Sequence, residues 1–138
     1  MKFDQALIGK CILAAEDNEV NQIVLEHTLA EQSLPVFIVK NGEEAITGWQ
    51  RLKPKLILMD ISMPVINGFQ AIKAIRTVEA EQGVHTPVIA LTAHALSGDK
   101  ERCLEAGADL YISKPINPAQ LLEKIDLLLE RTPQTSVA

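Results

Sequence analysis

Short apolar runs alternate with stretches of helical period five times along the chain, and that rhythm constrains the fold more than any other feature. The runs are Cys11-Ile12-Leu13-Ala14-Ala15, Pro35-Val36-Phe37-Ile38-Val39, Leu56-Ile57-Leu58-Met59, Pro87-Val88-Ile89-Ala90-Leu91 and Asp109-Leu110-Tyr111-Ile112. They are too short for helices, and their mostly continuous apolar character fits strands covered on both faces. Between the first two, Val20, Ile23, Val24 and His27 recur at helical spacing behind Asn18, a good N-cap. Ala45, Ile46, Trp49 and Leu52 mark a second helix that stops before Pro54, and Phe69, Ile72, Ile75 and Val78 a third. A weaker pattern over Gly98 to Ala106, with Gly107 as a left-handed cap, predicts a fourth. Leu121, Leu122, Ile125, Leu128 and Leu129 line a fifth, while Asn41-Gly42 and Asn67-Gly68 read as turns.

Strand–helix alternation at this spacing requires right-handed crossovers, hence a parallel sheet with helices on both faces. Five strands suit the flavodoxin-like doubly wound α/β order 2-1-3-4-5. With 138 residues, 47% of them hydrophobic and 4% aromatic, the chain makes one domain around an aliphatic core. That domain is expected over residues 10–131, with 1–9 as linker and 132–138 as tail or linker; the start at Met1-Lys2 before Phe3-Asp4-Gln5 fits an excised fragment. A net charge of -5 argues against direct nucleic-acid or membrane-surface binding. No run is long enough for a signal peptide or a membrane span, so a cytoplasmic compartment is expected. Cys11 and Cys103 sit inside apolar patterns rather than at ligand spacing and read as buried free thiols.

In an open α/β sheet, ligands bind beyond the carboxyl ends of the strands, where the strand order switches. Strand one runs into Glu16 and Asp17, strand three into Asp60, strand four into Thr92, and strand five leads to Lys114. In the expected order these strands are neighbours, so three acids, a hydroxyl and an ammonium converge on one rim. Each has a plainer reading alone: a solvated turn, a helix cap, a surface lysine. Their joint placement at four strand ends is what selects a site. Carboxylates 4 Å apart repel by ~4 kcal/mol per pair at an effective dielectric of 20, which a hard divalent cation would relieve. Mg²⁺ suits one or two carboxylates, waters and a phosphoryl oxygen. A phosphoryl group of charge near ~-2 would then fit between the metal and Lys114, with Thr92 donating to it. Such a site serves phosphoryl transfer.

Competing chemistries lack their residues. Neither G-x-x-x-x-G-K-[ST] nor G-x-G-x-x-G occurs, and there is no G-x-S-x-G. None of His27, His85 and His94 pairs with a cysteine at zinc spacing.

The motifs Glu16-Asp17-Asn18, Met59-Asp60, Met63-Pro64, Asn67-Gly68, Ala90-Leu91-Thr92-Ala93 and Tyr111-Ile112-Ser113-Lys114-Pro115 together resemble the receiver domains of two-component signalling. The likeness spans nearly all of Lys10 to Arg131. It implies that Asp60 is the phosphoacceptor, that Asp17 ligates Mg²⁺ directly and Glu16 directly or through water, and that the Ser62 backbone carbonyl adds a ligand. Thr92 and Lys114 would hold the phosphoryl oxygens, with small Ala93 leaving room for them, and Tyr111 would be the aromatic that follows Thr92 in the switch. Such a domain is not an enzyme in its own right, although it assists its own phosphorylation and dephosphorylation.

Asn67 stands where the family often has an acid, and is expected to support a left-handed turn. Ser62 and His94 occupy positions that tune acyl-phosphate lifetime in the family. The run Glu16 to Gln22 is more similar to receivers of hybrid sensor kinases than to those of free transcription regulators. The implied partner is a histidine phosphotransfer domain or a kinase dimerisation domain, docking transiently on Val20, Asn21 and Pro115; Val24 is expected mainly in the core. Three other readings compete. A pseudo-receiver that binds partners without phosphorylation would be expected to lose a rim residue. An aspartate-nucleophile phosphatase would carry a second acid where Ser62 stands. A flavin binder would need a hydroxyl-rich loop in place of Glu16-Asp17.

Overall fold

The computed structural model describes residues 3–30, 34–93 and 98–129. Five parallel strands, β1 (Ile12–Ala15), β2 (Val36–Val39), β3 (Leu56–Asp60), β4 (Val88–Thr92) and β5 (Leu110–Ser113), form one sheet in the order β2-β1-β3-β4-β5. Five helices connect and follow them: α1 (Glu19–Leu29), α2 (Gly42–Leu52), α3 (Gly68–Gln82), α4 (Asp99–Ala106) and α5 (Pro118–Leu129). The doubly wound architecture expected from the sequence is the one observed.

Side-chain alternation along buried strands divides the core in two. Ile12, Ala14, Leu56, Leu58, Ile89 and Leu91 point to one face and pack with Leu25 and Leu29 of α1 and Leu121, Ile125 and Leu128 of α5. Leu13, Ala15, Ile57, Met59, Val88 and Ala90 point to the other, under α2, α3 and α4. Every residue of β1, β3 and β4 is buried, as their unbroken apolar runs require. Each fully buried Leu or Ile contributes roughly 1.5–3 kcal/mol, so the aliphatic sandwich supplies the main driving force. Cys11 and Cys103 are buried free thiols. Burial pushes both up, Cys103 to about 11 with a further contribution from the Asp99 charge.

Four local expectations need correction. On α1 the core face is Leu25 and Leu29, and Val24, expected mainly in the core, is only half-buried; Ile23 is exposed, and so is Val20, the residue expected to face outward. The periodic set Val20, Ile23, Val24, His27 therefore marks the outer side of that helix. Asn67 is not left-handed: with φ -76° and ψ 172° it is the N-cap of α3, in a reciprocal capping box with Gln70. The left-handed residue in that loop is Val65, at φ 69°. Asn41 likewise caps α2. Finally, the described part of the segment expected as linker is packed. Gln5–Leu7 forms a 3-10 turn, the Phe3 and Phe37 rings lie 5.3 Å apart, and the Gly9 amide donates to the Leu52 carbonyl at 2.7 Å. Two spaced apolar residues, Phe3 and Leu7, pack against the buried core there. The tail at 132–138 lies outside the described residues.

At the amino-terminal end of the sheet, Arg76 of α3 joins four acceptors. It donates to the Gly107 carbonyl at 2.9 Å, the Thr86 carbonyl at 2.8 Å, the Asp109 carboxylate at 2.9 Å and the Glu79 carboxylate. Glu79 is 2% exposed and also accepts from the Thr86 amide, so this network satisfies a buried acid and ties α3 to β4 and β5.

Candidate functional site

The opposite, carboxyl-terminal edge of the sheet collects the polar groups. The Glu16 amide extends the β1–β2 ladder by donating to the Val39 carbonyl at 2.9 Å, which turns its side chain inward. The carboxylate is fully buried; its Oε2 accepts from the Asn18 amide at 3.2 Å, and the Gln22 side-chain amide donates to the Glu16 carbonyl at 2.7 Å. Asp17, one residue on, is exposed. Asn18 then caps α1 through the Asn21 amide at 3.0 Å.

Asp60 ends β3 and is 2% exposed. Its Oδ1 accepts from the Ser62 amide at 3.1 Å. Gly68 lets α3 start directly against this strand end: a Cβ there would lie 2.4 Å from the Asp60 carbonyl oxygen. The close approach, rather than a turn conformation, is why glycine follows Asn67.

Thr92 ends β4, buried, and the Lys114 amide donates to its carbonyl at 2.8 Å, which brings the lysine to the rim. Lys114 Nζ sits 3.1 Å from both Glu16 Oε1 and Asp60 Oδ2. The Lys114–Pro115 peptide is cis.

One ligand oxygen from each of Glu16, Asp17 and Asp60 lies within 4.8 Å of the others. Burial, then the neighbouring Glu16, raises the Asp60 carboxyl from 3.8 to about 7, against the opposing pull of Lys114. Burial alone would lower the Lys114 ammonium, but the charges of Asp60 and Glu16 outweigh it and hold it raised. Glu16 Oε1 is buried and has the Lys114 ammonium, 3.1 Å away, as its ion-pair partner. One ammonium thus serves two buried carboxylates, with a third nearby. That donor set, oxygen-rich and net negative around a single ammonium, fits a hard divalent cation.

The remaining residues expected at the site are also near this edge. Ala93 is exposed directly after Thr92, and Pro115 is exposed directly after Lys114. Tyr111 of β5 is half-buried, with the Lys100 ammonium 5.4 Å from its ring centre. Val20, in the first turn of α1, is 68% exposed, beside half-buried Asn21. His94 lies outside the described residues. Sequence reading missed Asp99, whose Oδ2 accepts from the Thr92 hydroxyl at 3.0 Å. An acid after a glycine gives no sign of a partner seven residues back.

Among the described residues no helix is long and apolar enough to cross a membrane. The family model described as the response regulator receiver domain matches residues 12–126. The chain is 44% identical over 125 residues to hybrid signal transduction histidine kinase I of Dictyostelium discoideum, covering 87% of this chain and 7% of that protein's length. Among solved structures it is similar to the receiver domain of sensor histidine kinase PA1611 from Pseudomonas aeruginosa, crystallised with a magnesium ion coordinated in the active site cleft. That likeness has a TM-score of 0.79 and 40% identity over 88% of this chain and 98% of the other. A second is the receiver domain of Ssk1, in a co-crystal with the histidine phosphotransfer protein Ypd1 of Saccharomyces cerevisiae, with a TM-score of 0.78 and 34% identity over 86% and 88% of the two chains.

Proposed function

The chain belongs to the response regulator receiver domain family of two-component signalling, and from that premise we propose that it accepts a phosphoryl group from phosphohistidine onto Asp60. The observation that carries the reading is the meeting of Glu16, Asp17 and Asp60 with Lys114 at one sheet edge, beside Thr92. Glu16, Asp17, Asp60 and the Ser62 backbone carbonyl would hold Mg²⁺. Once bound, the ion would offset the carboxylate charges and that of the incoming phosphoryl group.

The side chains divide the remaining work. An ionised Asp60 oxygen attacks phosphorus, the P–N bond breaks, and its electron pair leaves with the imidazole nitrogen of the donor. Lys114, already 3.1 Å from Asp60, is placed to hold a phosphoryl oxygen as an ammonium. Thr92 donates its hydroxyl to a second oxygen, and Ala93 leaves the space above it open. Tyr111 would follow Thr92, carrying the change to α4 and β5 as a shift between existing states.

The parent polypeptide, on this reading, is a hybrid histidine kinase and the domain works in the cytoplasm, where Cys11 and Cys103 stay reduced. Its donor is a histidine phosphotransfer domain or a kinase dimerisation domain, docking beside the rim on Val20, Asn21 and Pro115. The exposure of Val20, an apolar residue one turn from Glu16 and Asp17, supports this surface. Val20→Asp should slow transfer from a phosphohistidine protein at least ~10-fold, about 1.4 kcal/mol, while leaving labelling by acetyl phosphate nearly unchanged. Equal slowing with both donors would mean damage to the rim and would remove the docking surface from the account.

A further inference from the structure

We infer that Asp99 is a positioning residue that holds the Thr92 hydroxyl in the unphosphorylated domain and competes for it with the phosphoryl group. This rests on the phosphoacceptor reading of Asp60. The Thr92 hydroxyl donates to Asp99 Oδ2 at 3.0 Å. A hydroxyl carries one proton and donates to one acceptor at a time, so Thr92 cannot satisfy a phosphoryl oxygen without leaving Asp99.

The placement of Asp99 gives that exchange a consequence for the fold. It is the first residue of α4, a helix of 8 residues whose N-cap, Gly98, makes no side-chain cap hydrogen bond. The bond to Thr92 is therefore an anchor for the first turn of this helix. The next residue, Lys100, lies over the Tyr111 ring at 5.4 Å. Adjacent residues of one helical turn thus engage both Thr92 and Tyr111. When Thr92 departs, Asp99 keeps a cationic neighbour: its Oδ1 is 3.6 Å from Arg102, whose guanidinium stacks on the Phe69 ring at 4.2 Å. The carboxylate, 14% exposed, is left paired rather than stranded. The competition therefore has two stable outcomes: Thr92 on Asp99 with α4 anchored, or Thr92 on phosphate with α4 released.

Two consequences separate this role from a general effect of charge near the site. Removing the acceptor should favour the phosphorylated-like state, and the gain should vanish where the Thr92 hydroxyl is missing. The experiment is a titration with beryllofluoride in saturating Mg²⁺, followed by NMR amide shifts near Asp60 and Tyr111. Four chains are compared: wild type, Asp99→Ala, Thr92→Val and the double variant. Asp99→Ala should lower the half-saturation concentration about 10-fold, and Asp99→Asn, which keeps a neutral acceptor, by less. In the Thr92→Val background the Asp99 substitution should change it less than 2-fold. A gain that persists there, or an equal gain for Asn and Ala, would show that Asp99 acts through its charge and would overturn the latch. So would an unchanged midpoint in Asp99→Ala. A wild-type chain that takes up no beryllofluoride would instead overturn the phosphoacceptor reading, and the latch with it.

Discussion

Replacing Asp60 by asparagine should stabilise the metal-free domain, although it removes the residue on which the function is proposed to rest. Asp60 is buried beside Glu16, and its carboxyl is raised from 3.8 to about 7 by burial first and by Glu16 second. Between those values the folded state binds a proton that the unfolded state has released. Stability therefore falls as pH rises through that window, and the full cost is present above it. A displacement of that size corresponds to an upper bound of roughly 4 kcal/mol. The substituted side chain would also forfeit the Lys114 contact at 3.1 Å, but Lys114 keeps Glu16, and an amide oxygen can still accept from Ser62. The expected net gain is about 1–3 kcal/mol at pH 8, or a rise in Tm of roughly 4–12 °C for a domain of this size. Thermal or urea unfolding in EDTA at pH 4.5 and pH 8 checks it: the gain should be largest at pH 8 and shrink at pH 4.5. Saturating Mg²⁺ should stabilise the wild type and narrow the gap. An Asp60→Asn domain that is less stable at pH 8, or a difference that does not vary with pH, would refute the argument that the carboxylates strain the rim.

Two further outcomes follow from particular contacts. Asp17→Ala should weaken Mg²⁺ binding more than Glu16→Ala, because Asp17 is exposed while Glu16 already serves Lys114 and the Asn18 amide; calorimetric titration ranks them, and equal losses would reject the ordering. Arg76→Ala should cost about 3–5 kcal/mol by leaving Glu79 buried without its cation. Denaturant unfolding would show it, and a loss below about 1 kcal/mol would mean that the network relaxes or that water replaces the guanidinium.

The sheet was legible because β1, β3 and β4 are buried on both faces, so their sequence is an apolar run with a polar residue at its end. The same feature exposed the site: in such strands, Glu16, Asp60 and Thr92 are the first polar residues the pattern admits. What stayed hidden depended on partners. The outer face of α1 carries Val20 and Ile23, and periodicity reports an apolar stripe without saying which side the sheet takes. Asn67-Gly68 looked like a turn because that pair suits one, yet Asn67 caps α3 and Gly68 makes room for the Asp60 carbonyl. The hydrogen bond from Thr92 to Asp99 and the Arg76 network join residues whose spacing in sequence carries no signal.

Whether Asp60 is the phosphoacceptor can be read by intact-mass spectrometry after incubation with acetyl phosphate and Mg²⁺. A single labile phosphoryl adduct is expected, absent in Asp60→Asn and absent in excess EDTA. An adduct that survives in Asp60→Asn, or a wild-type domain that takes up none, would contradict that assignment.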